Sequence, residues 1–225
     1  MTKNTIHAAS LAAMLLASSE PLRADPPAPH NPPALTVRLY NHADAPLAML
    51  TAAARVGRGI FSRAGLEMTW VLCRPGPGQL PDPACSKRPG KTVLRVNVLD
   101  RNMAEKLGAV PEAFGVAFPD KSGFGLVASV FYHRVAELER DSGVEGELIF
   151  GHIMAHEIGH LLLGFKSHTP GGIMSAVWDE AKILEAEQGS LNFFGGQARR
   201  MRKQVQARAA ADQEALQRSE AVNTE

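Results

Sequence analysis

The segment His156-Glu157-Ile158-Gly159-His160 places two imidazoles and a carboxylate close together in the chain. Residues four positions apart lie on one face of an α-helix, about 6 Å apart along its axis, so two such imidazoles can bind one zinc ion. Glu157 is displaced by ~100° around the axis, where it can deprotonate a water molecule instead of binding the ion. The spacing therefore predicts a zinc (Zn²⁺) site for hydrolysis, with Glu157 as general base.

The side chains around this motif are apolar: Ile153, Met154 and Ala155 precede it, and Leu161, Leu162 and Leu163 follow it. A helix with such flanks should be buried, and burial of two histidines and a glutamate without partners is unfavourable. A bound metal ion compensates for that burial, which favours a metal site over a structural role for these residues.

A third ligand is needed, and His168 lies eight residues beyond His160. On a continuous helix His168 would be ~12 Å further along the axis, too far to reach the same ion. Gly164 permits a turn with positive φ that ends the helix and lets the chain fold back. The segment 170–174 (PGGIM) has a tight-turn composition and carries an apolar residue that can lie under the site.

In this region, over about residues 151–176, the sequence resembles the metzincin clan of zinc peptidases. Members of that clan carry H-E-x-x-H-x-x-G-x-x-H followed by a methionine-bearing turn. The resemblance implies a zinc ion held by His156, His160 and His168, with Met174 beneath it. It also implies an α+β fold with a twisted mixed sheet, an active-site helix, a Met-turn and C-terminal helices, and an endopeptidase that acts on peptides or proteins.

The sequence departs from the clan pattern at several positions. Gly164 comes one residue late and His168 one residue later still, which gives H-E-x-x-H-x3-G-x3-H, and Ala176 stands where some members have a tyrosine. Asp179 or Glu180 could then be the third ligand, as in gluzincin-like peptidases. A non-catalytic binding module that contains zinc is a further alternative, although it has no need of the glutamate in the motif.

Two other histidines lie outside the motif. His152 precedes His156 by one helical turn and shares its face, so it is either a further ligand or, as we expect, a core histidine beside the site. His133 falls at the end of a predicted strand, either near the cleft or on the surface.

The remaining pattern indicates one α+β domain. Apolar alternation predicts strands at 35–40, 66–73, 91–100, 115–118 and 125–132. Helical spacing predicts helices at 46–64, 142–163, about 176–187 and about 197–218. Ser142 and Glu145 match a capping box at the start of the active-site helix. The strand at 125–132 is either an edge strand, to which a peptide can add, or an ordinary core strand.

Residues 1–19 have the features of a secretory signal peptide, since Lys3 precedes a short apolar stretch and small residues. Residues 20–34 are rich in proline and predict an extended linker, followed by the zinc-peptidase domain at 35–218 and a frayed tail at 219–225. The protein is therefore expected to be secreted or periplasmic. No later segment reaches ~18 uninterrupted apolar residues, so we expect no membrane insertion after signal removal.

Cysteine content and charge restrict the remaining function classes. Cys73 and Cys85 are the two cysteines, and in an exported protein they predict a disulfide that stabilises the fold by about 3 kcal/mol. The 225 residues carry a formal net charge of +1, which provides no electrostatic reason to expect a nucleic-acid partner. A basic run on the last predicted helix is followed by acidic residues, which favours a solvated helix face. Its members are Arg199, Arg200, Arg202, Lys203 and Arg208.

Overall fold

The computed structural model describes residues 31–74, 82–121 and 124–222. The signal peptide predicted at 1–19 lies outside these residues, as does the predicted linker up to residue 30. None of the helices in the described part of the chain has the length and apolar composition needed to cross a lipid bilayer.

Five strands form one mixed sheet in the order β2-β1-β3-β5-β4. They are β1 (Ala34–Asn41), β2 (Glu67–Arg74), β3 (Val93–Leu99), β4 (Gly115–Pro119) and β5 (Gly125–Phe131). Strands β1, β2, β3 and β5 pair in parallel, and β4 pairs antiparallel with β5. All five correspond to the predicted strands, so the prediction of a mixed sheet is confirmed.

Six α-helices in the described part of the chain accompany this sheet. They are α1 (Leu47–Arg63), α2 (Arg101–Lys106), α3 (Tyr132–Ser142), α4 (Gly146–Leu163), α5 (Glu180–Glu187) and α6 (Gly195–Val222). Helix α4 contains the His-Glu-x-x-His motif, and all its residues except Glu147 and Leu148 are buried. Burial on every side agrees with a helix that is apolar around its whole circumference.

The hydrophobic core lies between one face of the sheet and the helices α1 and α4. In β3 alternate side chains, Leu94, Val96 and Val98, are fully buried in the same cluster as Ile60 of α1 and Ile153 of α4. The alternation follows from the two-residue period of a strand, which directs every second side chain to the core. The sheet and α1 thereby hold the motif-bearing helix in one place.

The alternative of an edge strand at 125–132 is wrong. Strand β5 lies between β3 and β4, and Gly125–Phe131 is hydrogen-bonded on both sides. The edge on this side of the sheet is β4, which pairs antiparallel with β5, and β2 forms the opposite edge. A sheet edge is a property of strand order, which the alternation within one segment does not determine.

The predicted capping box at the start of the active-site helix is also wrong. Ser142 is the last residue of α3, and Gly143 ends that helix with a φ of 72°. The hydroxyl of Ser142 donates to the Leu138 carbonyl, while the Gly146 N–H at the start of α4 donates to the Glu139 carboxylate. The prediction missed α3, because no element was predicted between the strand at 125–132 and the helix at 142–163.

The predicted disulfide between Cys73 and Cys85 is confirmed, with a Cα–Cα distance of 5.4 Å. It joins the end of β2 to a short 3₁₀ turn at Pro83–Cys85. The buried Arg38 of β1 donates hydrogen bonds to the carbonyls of Cys85 and Lys87. The loop is therefore tied to the sheet through a covalent bond and a buried guanidinium.

The prediction that the basic run forms a solvated helix face is wrong for Arg202 and Arg208, and three of the arginines in the run donate hydrogen bonds to main-chain carbonyls. Arg200 donates to the Leu163 carbonyl, and Arg202 donates to the Ala64 carbonyl at the end of α1. Arg208 is only 6% exposed and donates to the carbonyls of Leu161 and Gly125. The last carbonyls of a helix lack intrahelical donors, and α6 supplies these donors to α1 and α4. Of the run, Arg199, Arg200 and Lys203 are exposed, Arg202 is half-buried and Arg208 is buried.

Two helix boundaries differ from the prediction. Helix α5 begins at Glu180 rather than near 176, because the Asp179 carboxylate accepts a hydrogen bond from the Lys182 N–H and caps it there. Helix α6 continues through Val222, so the predicted tail at 219–225 is helical as far as the structure describes it.

Candidate metal centre

The Nε2 atoms of His156, His160 and His168 converge on one point. They are 3.1 Å apart between His156 and His160, 3.0 Å between His160 and His168, and 3.4 Å between His156 and His168. Three nitrogens bound tetrahedrally at 2.0–2.1 Å to one zinc ion would be ~3.3 Å apart. The structure thus brings together the three predicted ligands, and their spacing fits a zinc ion.

The turn after α4 delivers His168 to the other two histidines. Gly164 ends the helix with a φ of 98°, which a residue with a Cβ atom adopts only with strain. The Thr169 N–H donates to the Met174 carbonyl at 2.9 Å and closes the following loop. The chain therefore doubles back toward α4, as predicted from the glycine.

Neighbouring groups orient two of the imidazoles. Nδ1 of His156 lies 2.7 Å from the Ile173 carbonyl, which can only accept, so Nδ1 carries the proton and Nε2 presents its lone pair to the site. Nδ1 of His160 lies 3.1 Å from the Ser167 hydroxyl. Such outer hydrogen bonds are typical of metal-binding histidines, because they fix the ring orientation and the tautomer.

Burial keeps the three imidazoles neutral. It lowers the pKa of His156 to about 3, although the hydrogen bond to Ile173 opposes this effect. Burial also lowers the pKa of His160 to about 4, with a further contribution from His168. The pKa of His168 is lowered by burial as well. At neutral pH all three rings are therefore neutral, and each has one unprotonated nitrogen that can bind a metal ion.

Glu157 faces the same cavity as these histidines and is 5% exposed. Burial raises the pKa of its carboxyl group to about 8, so without a nearby cation the group is mostly protonated at neutral pH. A cation held by the histidines would lower this pKa and favour the carboxylate. The protonation state of Glu157, and with it the ability of this group to accept a proton, therefore depends on whether a cation is bound.

Two glycines allow close packing around the site. A Cβ atom placed on Gly115 would lie 2.7 Å from Cγ of Glu157, and one placed on Gly159 would lie 2.5 Å from Sδ of Met174. Met174 is fully buried, so it packs directly under the helix between the two histidines of the motif. Glu157 is confined by the first residue of β4.

The carboxylates considered as alternative ligands lie elsewhere. Asp179 caps α5, and Glu180 is an exposed residue in the first turn of that helix. Within the described ranges of the chain, the one group of side chains that could hold a metal is the histidine triad. The structure therefore supports His168 over a carboxylate as third ligand.

The two additional histidines are not part of this triad. His152 is buried, and its Nδ1 donates to the Leu148 carbonyl of the preceding turn at 2.9 Å. His133 lies in α3 rather than at a strand end and lines a separate hollow with Arg101. Neither contributes a ligand atom to the triad, in agreement with the expectation for His152.

A cavity of about 680 Å³ opens beside the triad. One wall consists of the segment 110–117, which includes the start of β4, and the other includes residues 165–178. Trp178 lies with its ring centre 6.4 Å from that of His156 and 6.2 Å from that of Phe114. The sequence analysis missed both aromatic residues, because no motif distinguishes them from ordinary core side chains.

Comparisons with other proteins identify similar folds at low sequence identity. A zinc-dependent peptidase from Methanocorpusculum labreanum is similar with 16% identity and a TM-score of 0.47, over 73% of this chain and 99% of that chain. An archaemetzincin from Methanopyrus kandleri is similar with 17% identity and a TM-score of 0.45, over 77% of this chain and 96% of that chain. No protein-family profile matches the sequence, and neither does any curated protein. Similarity of this degree does not assign a function to this protein. The function is therefore inferred from the residues of the site.

Replacement of His168 by alanine should abolish stable zinc binding, because two imidazoles remain where three converge. The loss in affinity should exceed the roughly 10–100-fold that removal of an outer hydrogen-bond partner causes. Zinc content of the purified variant, measured by atomic emission, checks this expectation. Asp179→Ala is the matched control and should retain zinc; loss of zinc in that variant instead would identify the carboxylate as the ligand.

Gly115→Ala should lower hydrolytic activity by roughly 100-fold while zinc content is unchanged, because the added methyl group would lie 2.6 Å from the Ser129 carbonyl oxygen of β5 and 2.7 Å from Cγ of Glu157, and so shifts β4 and the Glu157 side chain relative to each other without contacting the histidines. Gly59→Ala on α1 is the control, since the closest atom to its new methyl group is 3.7 Å away. Activity and zinc content are measured on the same preparations. Full activity in Gly115→Ala would show that the strand does not confine the base.

Zinc binding at pH 7 should release about one proton more from the wild type than from Glu157→Gln. The carboxyl group has a pKa raised to about 8 and is protonated before the cation binds, whereas the His156 and His160 rings, with pKa values of about 3 and 4, have no proton to lose. Calorimetry in buffers of different ionisation enthalpy measures the difference. Equal proton release by the wild type and Glu157→Gln would mean that zinc binding does not change the protonation state of Glu157.

Proposed function

We propose that this protein is a zinc-dependent endopeptidase in which His156, His160 and His168 hold the metal and Glu157 is the general base. One observation carries the proposal: three Nε2 atoms within 3.0–3.4 Å of one another share a cavity with a buried carboxyl group. A purely structural zinc site has its fourth position filled by protein and no need of such a base.

A zinc ion held by His156, His160 and His168 would polarise the carbonyl group of the substrate and lower the pKa of a water molecule towards ~7. Glu157 accepts the proton of the attacking water through its carboxylate and delivers it to the leaving amine. The apolar surroundings of Glu157 support both transfers, since they keep the pKa of the group near neutrality, where it can accept and release a proton. His156 is held in place by Ile173 throughout.

Peptide chains are the proposed substrates because the cavity is bounded by the edge strand of the sheet. Gly115, Val116 and Ala117 of β4 line the cavity, and β4 pairs with β5 alone among the described strands. An extended peptide can form backbone hydrogen bonds with such an edge and thereby place a carbonyl group beside the metal. A strand edge binds a stretch of chain rather than a chain end, which favours an endopeptidase that acts on peptides or proteins.

We further propose that the site is of the metzincin type, with an enlarged turn. Gly164 supplies the helix end, His168 completes the triad, and Met174 is buried beneath the helix, which supports each assignment made by resemblance. The residue Ala176 lines the cavity and provides no hydroxyl group there. This site therefore works without the tyrosine that some members of the clan use.

Export to the periplasm or the cell exterior is part of the same proposal. The signal peptide expected at 1–19 is its basis, and the disulfide between Cys73 and Cys85 supports it, because such bonds persist in oxidising compartments.

Glu157→Gln should reduce hydrolysis of a mixed peptide library by at least roughly 100-fold with no loss of zinc, because the amide cannot accept the proton of water. Glu180→Gln, an exposed position on α5, is the control and should be fully active. Cleavage is followed by mass spectrometry of the peptides. A wild type as inactive as Glu157→Gln on every peptide would favour a zinc-containing binding module.

A further inference from the structure

The main-chain carbonyl of Ile173 is the group that orients the ring of His156. Nδ1 of His156 lies 2.7 Å from its oxygen. Ile173 is fully buried, but it lies in the loop between α4 and α5, outside any helix or strand. A loop carbonyl keeps a fixed position only where other segments hold the loop. The orientation of His156 therefore depends on what holds Ile173.

The segment between α5 and α6 holds Ile173 through its other main-chain group. The Ile173 N–H donates to the Asn192 carbonyl at 3.0 Å. The approach of the two segments is close, since a Cβ atom placed on Gly172 would lie 2.9 Å from that carbonyl oxygen. Ile173 thus donates to Asn192 and accepts from His156, so a displacement of Asn192 is passed on to the imidazole.

The side chain of Asn192 is anchored through both of its polar atoms. Its Oδ1 accepts a hydrogen bond from Nε of Arg63 at 2.5 Å, and its Nδ2 donates to the Gly189 carbonyl at 3.0 Å. Arg63 is the last residue of α1, and Gly189 lies just after α5. These two hydrogen bonds join the ends of two helices to the residue that holds Ile173.

Phe193 packs the same segment against the active-site helix. Its ring lies tilted on that of Phe61 in α1, with the ring centres 5.4 Å apart. A Cβ atom placed on Gly159 of α4 would lie 3.0 Å from the Phe193 ring and 2.5 Å from Sδ of Met174. Asn192 and Phe193 are therefore in contact both with α1 and with the part of the molecule that carries the metal ligands.

We propose that Asn192, held by Arg63, is a positioning residue of the metal centre. It fixes the Ile173 carbonyl and thereby directs Nε2 of His156 at the point where the three imidazoles converge. The inference rests on the proposed function, because this orientation matters only if the triad binds zinc. Outer hydrogen bonds of this kind raise the metal affinity of a histidine, and here the support continues as far as the end of α1.

Arg63 provides a test in which the sign of the effect is decisive. Arg63 is exposed, so its replacement leaves the core intact. Loss of its positive charge would, if anything, raise the affinity for a cation, whereas loss of its hydrogen bond to Asn192 should lower it. Arg63→Ala should lower zinc affinity roughly threefold to tenfold, less than the roughly 10–100-fold that loss of a direct outer partner causes. Competition with a chromophoric chelator measures the affinity, and an equal or higher affinity in Arg63→Ala would refute the proposal.

Two further variants locate the effect. Arg55→Ala is the matched control, because Arg55 is also an exposed arginine of α1 and lies two helical turns, about 12 Å, before Arg63. It should not lower zinc affinity, and a loss equal to that of Arg63→Ala would refute the proposal. Asn192→Ala should lower affinity at least as much as Arg63→Ala, and the double variant should lose no more than Asn192→Ala alone, since the two residues act as one unit. Additive losses would mean that they act separately.

A spectroscopic measurement follows the hydrogen bond itself. In zinc-loaded protein with ¹⁵N-labelled histidine, the Nδ1 proton of His156 should move upfield and exchange with water roughly tenfold faster in Asn192→Ala, because its bond to Ile173 is weakened. The Nδ1 proton of His152 is the internal reference, since it is bonded to the Leu148 carbonyl within α4. It should be unchanged. A His156 proton that does not respond, or one that responds together with that of His152, would refute the proposal.

The two readouts separate this inference from the proposed function. Zinc bound with the same affinity by the wild type, Arg63→Ala and Asn192→Ala would refute the positioning role and leave the peptidase function intact. A wild type that binds no zinc would refute the proposed function. The His156 proton, which does not require a metal, would then decide the positioning role.

Discussion

The convergence of three imidazole Nε2 atoms on one point is the constraint on which this structure depends. In His156 the Nδ1–H donates to the Ile173 carbonyl, so Nε2 carries a lone pair, and burial disfavours protonation of the ring. The three Nε2 atoms are 3.0–3.4 Å apart. A cation at their centre would be within reach of all three, which links the fold of the loop after α4 to metal binding.

The surroundings of the triad show how closely the fold positions the reacting groups. Gly115 leaves no space between the edge strand and Glu157, and Gly159 leaves none between the active-site helix and Met174. Glu157 is therefore confined by the strand along which a substrate would lie in the proposed function, and the helix that carries His156 and His160 packs directly on Met174. The backbone of β4 confines Glu157. The same backbone would set the position of a paired peptide relative to Glu157.

Helix α6 connects this site to the rest of the domain. Arg200 and Arg208 donate to carbonyls in the last turn of α4, the turn that contains His160 and precedes the metal-binding loop. Arg208 also binds the Gly125 carbonyl at the start of β5. A buried guanidinium that joins helix and sheet through main-chain carbonyls restrains the point from which the chain turns back to His168.

Much of the geometry of the candidate site could be predicted from the sequence alone. One helical turn fixes the relative positions of His156, Glu157 and His160. The positive φ that ends the helix requires only the glycine at position 164. Local rules therefore predict both features. The five strands also follow from local alternation of apolar and polar residues. Two cysteines allow only one disulfide pairing. Other features depend on contacts between distant segments: β4 as the sheet edge, Gly115 against Glu157, the arginines of α6 on helix ends, and Phe114 beside Trp178. Only the tertiary structure decides these, because a residue's pattern within its own segment carries no information about which surface will pack against it.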